Sequence, residues 1–178
     1  MNPDDFIPWL KDRLLDWSDF KAESNPAIFE DANSVIKYRY TWTVNSENFG
    51  NEIKFSIADI KLIPEFHKQL SWVRSSLATP HLLEHEQGHF DLAELLRDKI
   101  TKNIRQVFEG KWYPTRGQND EQQKQFARED SGVLIAKELE KWEKFLQDAQ
   151  QEYDSLTDFG QIKEKQQEYN EKFNELRK

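Results

Sequence analysis

Polar and apolar residues alternate cleanly from Val35 to Val44. Ile36, Tyr38, Tyr40, Trp42 and Val44 share one face, while Lys37, Arg39, Thr41 and Thr43 share the other. A period of two predicts a half-buried strand. After the polar residues 45–50, Ile53, Phe55 and Ile57 repeat the pattern, so the two stretches are expected to pair as a hairpin. The phase then slips to Ile60 and Leu62, which signals a bulge or a strand end. Pro64 is expected to close this region, with residues 66–77 an irregular or partly helical connection carrying Ser71-Trp72-Val73.

Helical periods flank the hairpin. Phe6, Trp9, Leu10 and Leu14 predict a short amphipathic helix over 6–15, followed by an aromatic-rich turn or short strand at 17–21, anchored by Trp17 and Phe20. Residues 24–31, with Asn25-Pro26, read as loop. Thr79 and Pro80 form a helix start, Leu92, Leu96, Ile100, Ile104 and Phe108 an apolar stripe, and Gly110 a stop. Residues 112–119 read as loop. A long polar helix is expected over 121–153, interrupted at Ser131-Gly132, burying Val133, Leu134, Ala136, Leu139, Trp142, Phe145, Leu146 and Ala149. A break over 153–160 and a charged helix over 161–178, with Ile162, Tyr169, Phe173 and Leu176 as its apolar side, complete the chain. The expected fold is α+β: a small antiparallel sheet packed on the helix at 78–110, with long C-terminal helices. We read it as one domain over 1–178, divided into 1–77, 78–110 and 120–178.

Composition narrows the partners more than the fold. Twelve Phe and six Trp supply a core that 37% hydrophobic content alone would leave thin. A net charge of -8 argues against nucleic acid, which needs a basic surface, and is compatible with a peptide, a glycan or a protein partner without selecting among them. There are no cysteines, so any metal site must use histidine and carboxylate. The first residues carry neither a basic start nor an apolar run, so no signal peptide is read in this chain, and no transmembrane segment is expected.

Three of the four histidines lie between 81 and 89. His85-Glu86-Gln87-Gly88-His89 is an H-E-x-x-H pattern. Histidines four apart on a helix leave one face together and can hold one metal ion, while Glu86 can take a proton from the water that the metal activates. Catalytic zinc needs three protein ligands and an open position. His81 lies about 12 Å from His89 along a helix axis, too far to share the ion. His67 has no ligand signature around it, and Glu94 points about 140° away from His89. The carboxylates of the 153–160 break are the better candidates.

The segment His85-Glu86-Gln87-Gly88-His89-Phe90-Asp91, followed by Ala93-Glu94, resembles a bacterial family of unknown function described as secreted zinc-dependent proteases. Trp17-Ser18-Asp19-Phe20-Lys21, Ser71-Trp72-Val73 and Tyr153-Asp154 with Thr157 and Gly160 extend the likeness. The resemblance implies a zincin-like arrangement, a Zn2+ cofactor and export to the periplasm or beyond. Its downstream motif reads T-x-H-G, and that histidine is the natural third ligand. Here the position is Phe159, which cannot bind zinc.

The expected site is therefore His85, His89 and Asp158, with Asp154 the alternative third ligand and Glu86 the general base. Asp91 is expected to orient a ligand histidine through its free ring nitrogen. These residues point to a zinc metallopeptidase acting on peptides or proteins. The alternative is a zincin-like binding or scaffold protein, impaired in catalysis by Phe159.

Overall fold

One long hairpin sets the frame, and its alternation follows the sequence. In the computed structural model β3 (Ile36–Asn48) buries Ile36 and Tyr38 and exposes Lys37 and Arg39, as expected. β4 (Ile53–His67) buries Phe55 and Ile57, then Ile60 and Leu62. The phase changes at Asp59, whose φ of 53° marks a bulge inside one continuous strand. The expected close at Pro64 is corrected: β4 runs on to His67. Pro64 fits because it contributes only its carbonyl, which accepts the Trp9 N–H at 2.9 Å.

The structure describes residues 3–178; Met1 and Asn2, which open the segment read for a leader, lie outside them. Among the described residues the fold is α+β, with small antiparallel sheets and three α-helices. The expected helix over 6–15 is a second correction. Residues Phe6–Pro8 form strand β1 instead, paired to β4 with Ile7 opposite Phe66. An open edge of β4 supplied a stronger partner than four apolar residues at helical spacing; Leu10 and Leu14 are 55% and 57% exposed. A 3-10 turn, Trp17–Asp19, follows with Asp16 and Asp19 capping each other's backbone. Phe20 is buried against Phe66, ring centres 5.0 Å apart, and Trp17 packs on Phe20. β2 (Ala32–Asn33) pairs antiparallel with β5 (Trp72–Val73), so the 66–77 connection holds a short strand. The 112–119 loop likewise holds β6 (Tyr113–Pro114), paired to β4.

Helix α1 (Pro80–Phe108) starts where Thr79 accepts the Leu82 N–H on its hydroxyl and ends before Gly110, at φ +67°. Helix α2 (Asp120–Thr157) is not interrupted at Ser131-Gly132. Ser131 accepts the Trp42 indole N–H at 2.8 Å, and a side chain at Gly132 would reach that ring, so the pair seats Trp42. Val133 is exposed; the buried row is Ile135, Leu139, Leu146, Tyr153 and Thr157. The expected break begins only at Asp158, where Asp158, Phe159 and Gly160 all take positive φ. Helix α3 is Lys163–Leu176. None of these helices is long and apolar enough to cross a membrane.

The residues gather into two compact units, each built from separate stretches. One comprises the chain up to Arg39, Ile63–Arg97 and Leu146–Lys178; the other, Tyr40–Leu62 and Asp98–Phe145. Every candidate site residue belongs to the first. Its core includes Leu92, Tyr153 and Phe173, one from each α-helix, with Leu96, Ala149, Tyr169 and Leu176 against them.

Candidate metal centre

His85 and His89 leave α1 one turn apart, as the sequence requires, and meet the last turn of α2. Both Nε2 atoms lie 3.0 Å from Oδ1 of Asp154. The three ligand atoms all fall within 4.8 Å of one another. Tyr153 explains why Asp154 arrives there. Its ring is fully buried, stacked on His85 at 4.6 Å and 11°, with the edge of His89 5.1 Å away. Gly88 makes room for it, since a Cβ there would sit 2.1 Å from the Tyr153 oxygen. Burying Tyr153 against α1 thus presents its neighbour Asp154 to both histidines.

The charges interlock. Burial disfavours the His89 imidazolium, yet the bond to Asp154 and the charges of Glu86, Asp154 and Glu30 outweigh it, so its pKa is raised. Burial raises the Asp154 carboxyl, but the bonds from His85 and His89 prevail and hold it well below the usual carboxylate range. Glu30 is pushed up by burial and then by the charges of Asp154 and Glu86.

Around this group lies a cleft in two parts. One, about 380 Å³, is lined by Phe29, Leu77, Leu82, His85, Glu86 and Phe159 among others. The other, about 220 Å³, adds Ser34, His89, Gln150 and Asp154. Glu30, Ala32, Glu86 and Phe159 line both. Glu86 is buried, and its Oε2 accepts the Ser34 hydroxyl at 2.5 Å.

Compared with known protein families, curated proteins and solved structures, the chain matches none.

Asp158, the expected third ligand, is exposed and stands outside the group; Asp154, the alternative, belongs to it. The reason is the length of α2. The helix continues past Tyr153 and carries Asp154 inward, whereas Asp158 has already left it at φ 47°. Phe159 lies 6.4 Å from the His85 ring, centre to centre, and is 46% exposed. His81 donates to the Gly160 carbonyl, tying the start of α1 to the loop after α2. His67 packs on Phe6, and Glu94 pairs with Arg97, both away from the group.

Asp91 does not touch a ligand histidine. It accepts from the Trp9 indole at 2.7 Å, from Gln87 at 2.9 Å and from Arg177, which fastens the N-terminal segment and the end of the chain to α1. The contact expected of it is made by Gln166 of α3, whose Oε1 lies 3.1 Å from His85 Nδ1. Gln166, Ser34 and Glu30 escaped the sequence reading, because each is an ordinary polar residue on a separate element. For Asp154 a signal existed: it follows Tyr153, which continues the buried row of Leu139 and Leu146 at heptad spacing.

The donor set fits zinc. Two imidazole nitrogens and a carboxylate oxygen are ordinary zinc ligands, and bonds of about 2.0 Å in tetrahedral array place donors roughly 3.3 Å apart. The 3.0 Å His–Asp separations come close to that spacing.

This arrangement sets a pH dependence. Without metal, the raised pKa of His89 contributes stability that is full below about pH 6.5 and lost as pH rises through the raised value. Asp154, with its lowered pKa, contributes stability above about pH 3.9 that is lost as pH falls through its folded value. Zinc takes only unprotonated imidazole, so its stabilisation runs opposite to the His89 term. The rise in melting temperature on adding zinc is expected to grow from about pH 5 to about pH 8. Reading the increment rather than the absolute value removes His67, whose pKa is lowered by burial and works in the other sense. A zinc increment that stays flat or shrinks over this range would contradict the assignment.

Proposed function

We propose that the protein is a zinc-dependent metallopeptidase with a zincin-like site. One observation carries this reading: His85, His89 and Asp154 bring three ligand atoms within 4.8 Å of one another, beside the buried Glu86 in a shared cleft. The resemblance of the segment from His85 to Asp91 to secreted zinc-dependent proteases supports it, and work outside the cytoplasm is part of the same proposal. When bound, zinc would polarise a scissile carbonyl and acidify a water molecule. Glu86 takes the proton of the attacking water and passes it to the leaving amine. Ser34 fixes the Glu86 carboxylate by its 2.5 Å hydrogen bond, so the base is aimed before substrate arrives. Phe159 and Phe29 form apolar walls for the peptide.

The test is metal content followed by Glu86→Gln. Protein purified without added metal is expected to carry one zinc and to hydrolyse casein or a peptide library. Glu86→Gln is expected to keep the zinc and lose activity by about 10²–10⁴-fold, the range of general base catalysis. Failure to take up zinc at micromolar supply would sink the proposal. A second reading, a zincin-like binding protein without catalysis, is favoured by Phe159 standing where the resembled family has histidine. Stoichiometric zinc without hydrolysis by the unmodified protein would decide for it.

A further inference from the structure

Gln166 stands apart from the ligands yet is among the most buried polar residues of the unit, 2% exposed. Its amide nitrogen donates to the Tyr153 hydroxyl at 2.8 Å and to Asn170 Oδ1 at 2.9 Å. Both amide hydrogens are thereby used, and the carbonyl oxygen is the atom left to face His85 Nδ1, at 3.1 Å. A carbonyl oxygen only accepts, so Nδ1 must carry a proton. In an uncharged imidazole one nitrogen is a donor and the other an acceptor, so the uncharged ring that a metal requires offers its Nε2 lone pair on the side of Asp154. The Tyr153 hydroxyl, having accepted from Gln166, can give its own proton to the His85 backbone carbonyl at 3.2 Å. Every polar atom of Gln166 has a partner, and its Oε1 lies 3.1 Å from the Tyr153 hydroxyl as well as from His85 Nδ1.

We propose that Gln166 is a positioning residue that sets the His85 tautomer and holds its ring for metal binding. The proposal rests on the zinc reading above. It departs from the usual carboxylate partner of a ligand histidine in a specific way. A neutral amide orients the ring without adding a negative charge to a cleft that already holds Glu30, Glu86 and Asp154. Because Gln166 lies on α3, it also makes zinc affinity depend on a helix that contributes no ligand.

Zinc affinity, measured by competition with a chromophoric chelator, is compared in the unmodified protein, Gln166→Leu and Gln166→Glu. Gln166→Leu keeps the bulk and removes the acceptor, and is expected to weaken zinc by about 10–100-fold. Gln166→Glu restores an acceptor and is expected to bind zinc at least as tightly as the original. In 15N spectra of the zinc-loaded protein, the slowly exchanging Nδ1 proton of His85 is expected in the original and in Gln166→Glu, and lost in Gln166→Leu. Melting of the metal-free variants reports folding separately. Equal affinity in Gln166→Leu, or equal loss in both variants, would overturn the positioning role while leaving the zinc site intact. Absence of zinc binding by the unmodified protein would instead remove the reading on which it rests.

Discussion

Asp154→Ala is expected to weaken zinc by more than about 100-fold, since on the proposed reading it deletes a direct ligand, a loss beyond the 10–100-fold typical of groups that only support one. Asp158→Asn is the matched control. Asn tolerates the positive φ of 47° at that site, and the side chain is exposed, so zinc affinity should not change. The contrast separates the two aspartates that the sequence left open. Metal-free Asp154→Ala should also show a lower His89 pKa, because burial of the imidazolium is then less opposed. Chelator competition and histidine titration by NMR read the two effects. Zinc binding in Asp154→Ala equal to that of the original protein would remove Asp154 from the ligand set.

Gly88→Ala is expected to destabilise the fold by about 1–3 kcal/mol, the usual cost of overpacking a filled core. Helix propensity argues the other way by up to about 1 kcal/mol, since glycine is poor in a helix interior. Sterics should win here. The added carbon would stand 2.1 Å from the Tyr153 oxygen, 2.7 Å from its Cζ and 3.2 Å from Phe173. Tyr153 cannot retreat, because it is fully buried with His85 on its face and Tyr169 4.8 Å away. Any shift it does make carries Asp154 away from the histidines. Denaturant melts should show the loss, and Tyr153→Phe in the same background should recover part of it by deleting the nearest atom. A Gly88→Ala protein as stable as the original would show that the ring has room.

How much of this could be read in advance depended on whether the information was local. β3 was legible because Ile36 to Val44 buries one face, and a half-buried strand writes its period into the sequence. The start of α1 was legible because Thr79 and Pro80 act through adjacent backbone. The segment after Phe6 was misread because its partner is the far end of β4, 61 residues on in the register Phe6 with His67. Helical spacing there competed with a tertiary pairing and lost. At the site, His85, Glu86 and His89 sit on one helix and were plain. The carboxylate that joins them was not, because the likeness drew attention to the residue beside Phe159, while helix phase favours the one beside Tyr153. Gln166 reaches His85 across a separation of 81 residues, and no short pattern records such a contact.

That separation bears on how the protein is made. His85 is 69 residues ahead of Asp154 in the chain. At synthesis rates of about 5–20 residues per second, roughly 3–14 s pass between the two leaving the peptidyl transferase centre. For that interval the nascent chain carries two histidines and a glutamate with nothing to complete them. The group is closed only when the end of α2 has been translated, so premature termination before Asp154 leaves a chain with the recognisable motif and an incomplete group. On the proposed reading, metal acquisition then waits for that long-range closure rather than for the formation of α1.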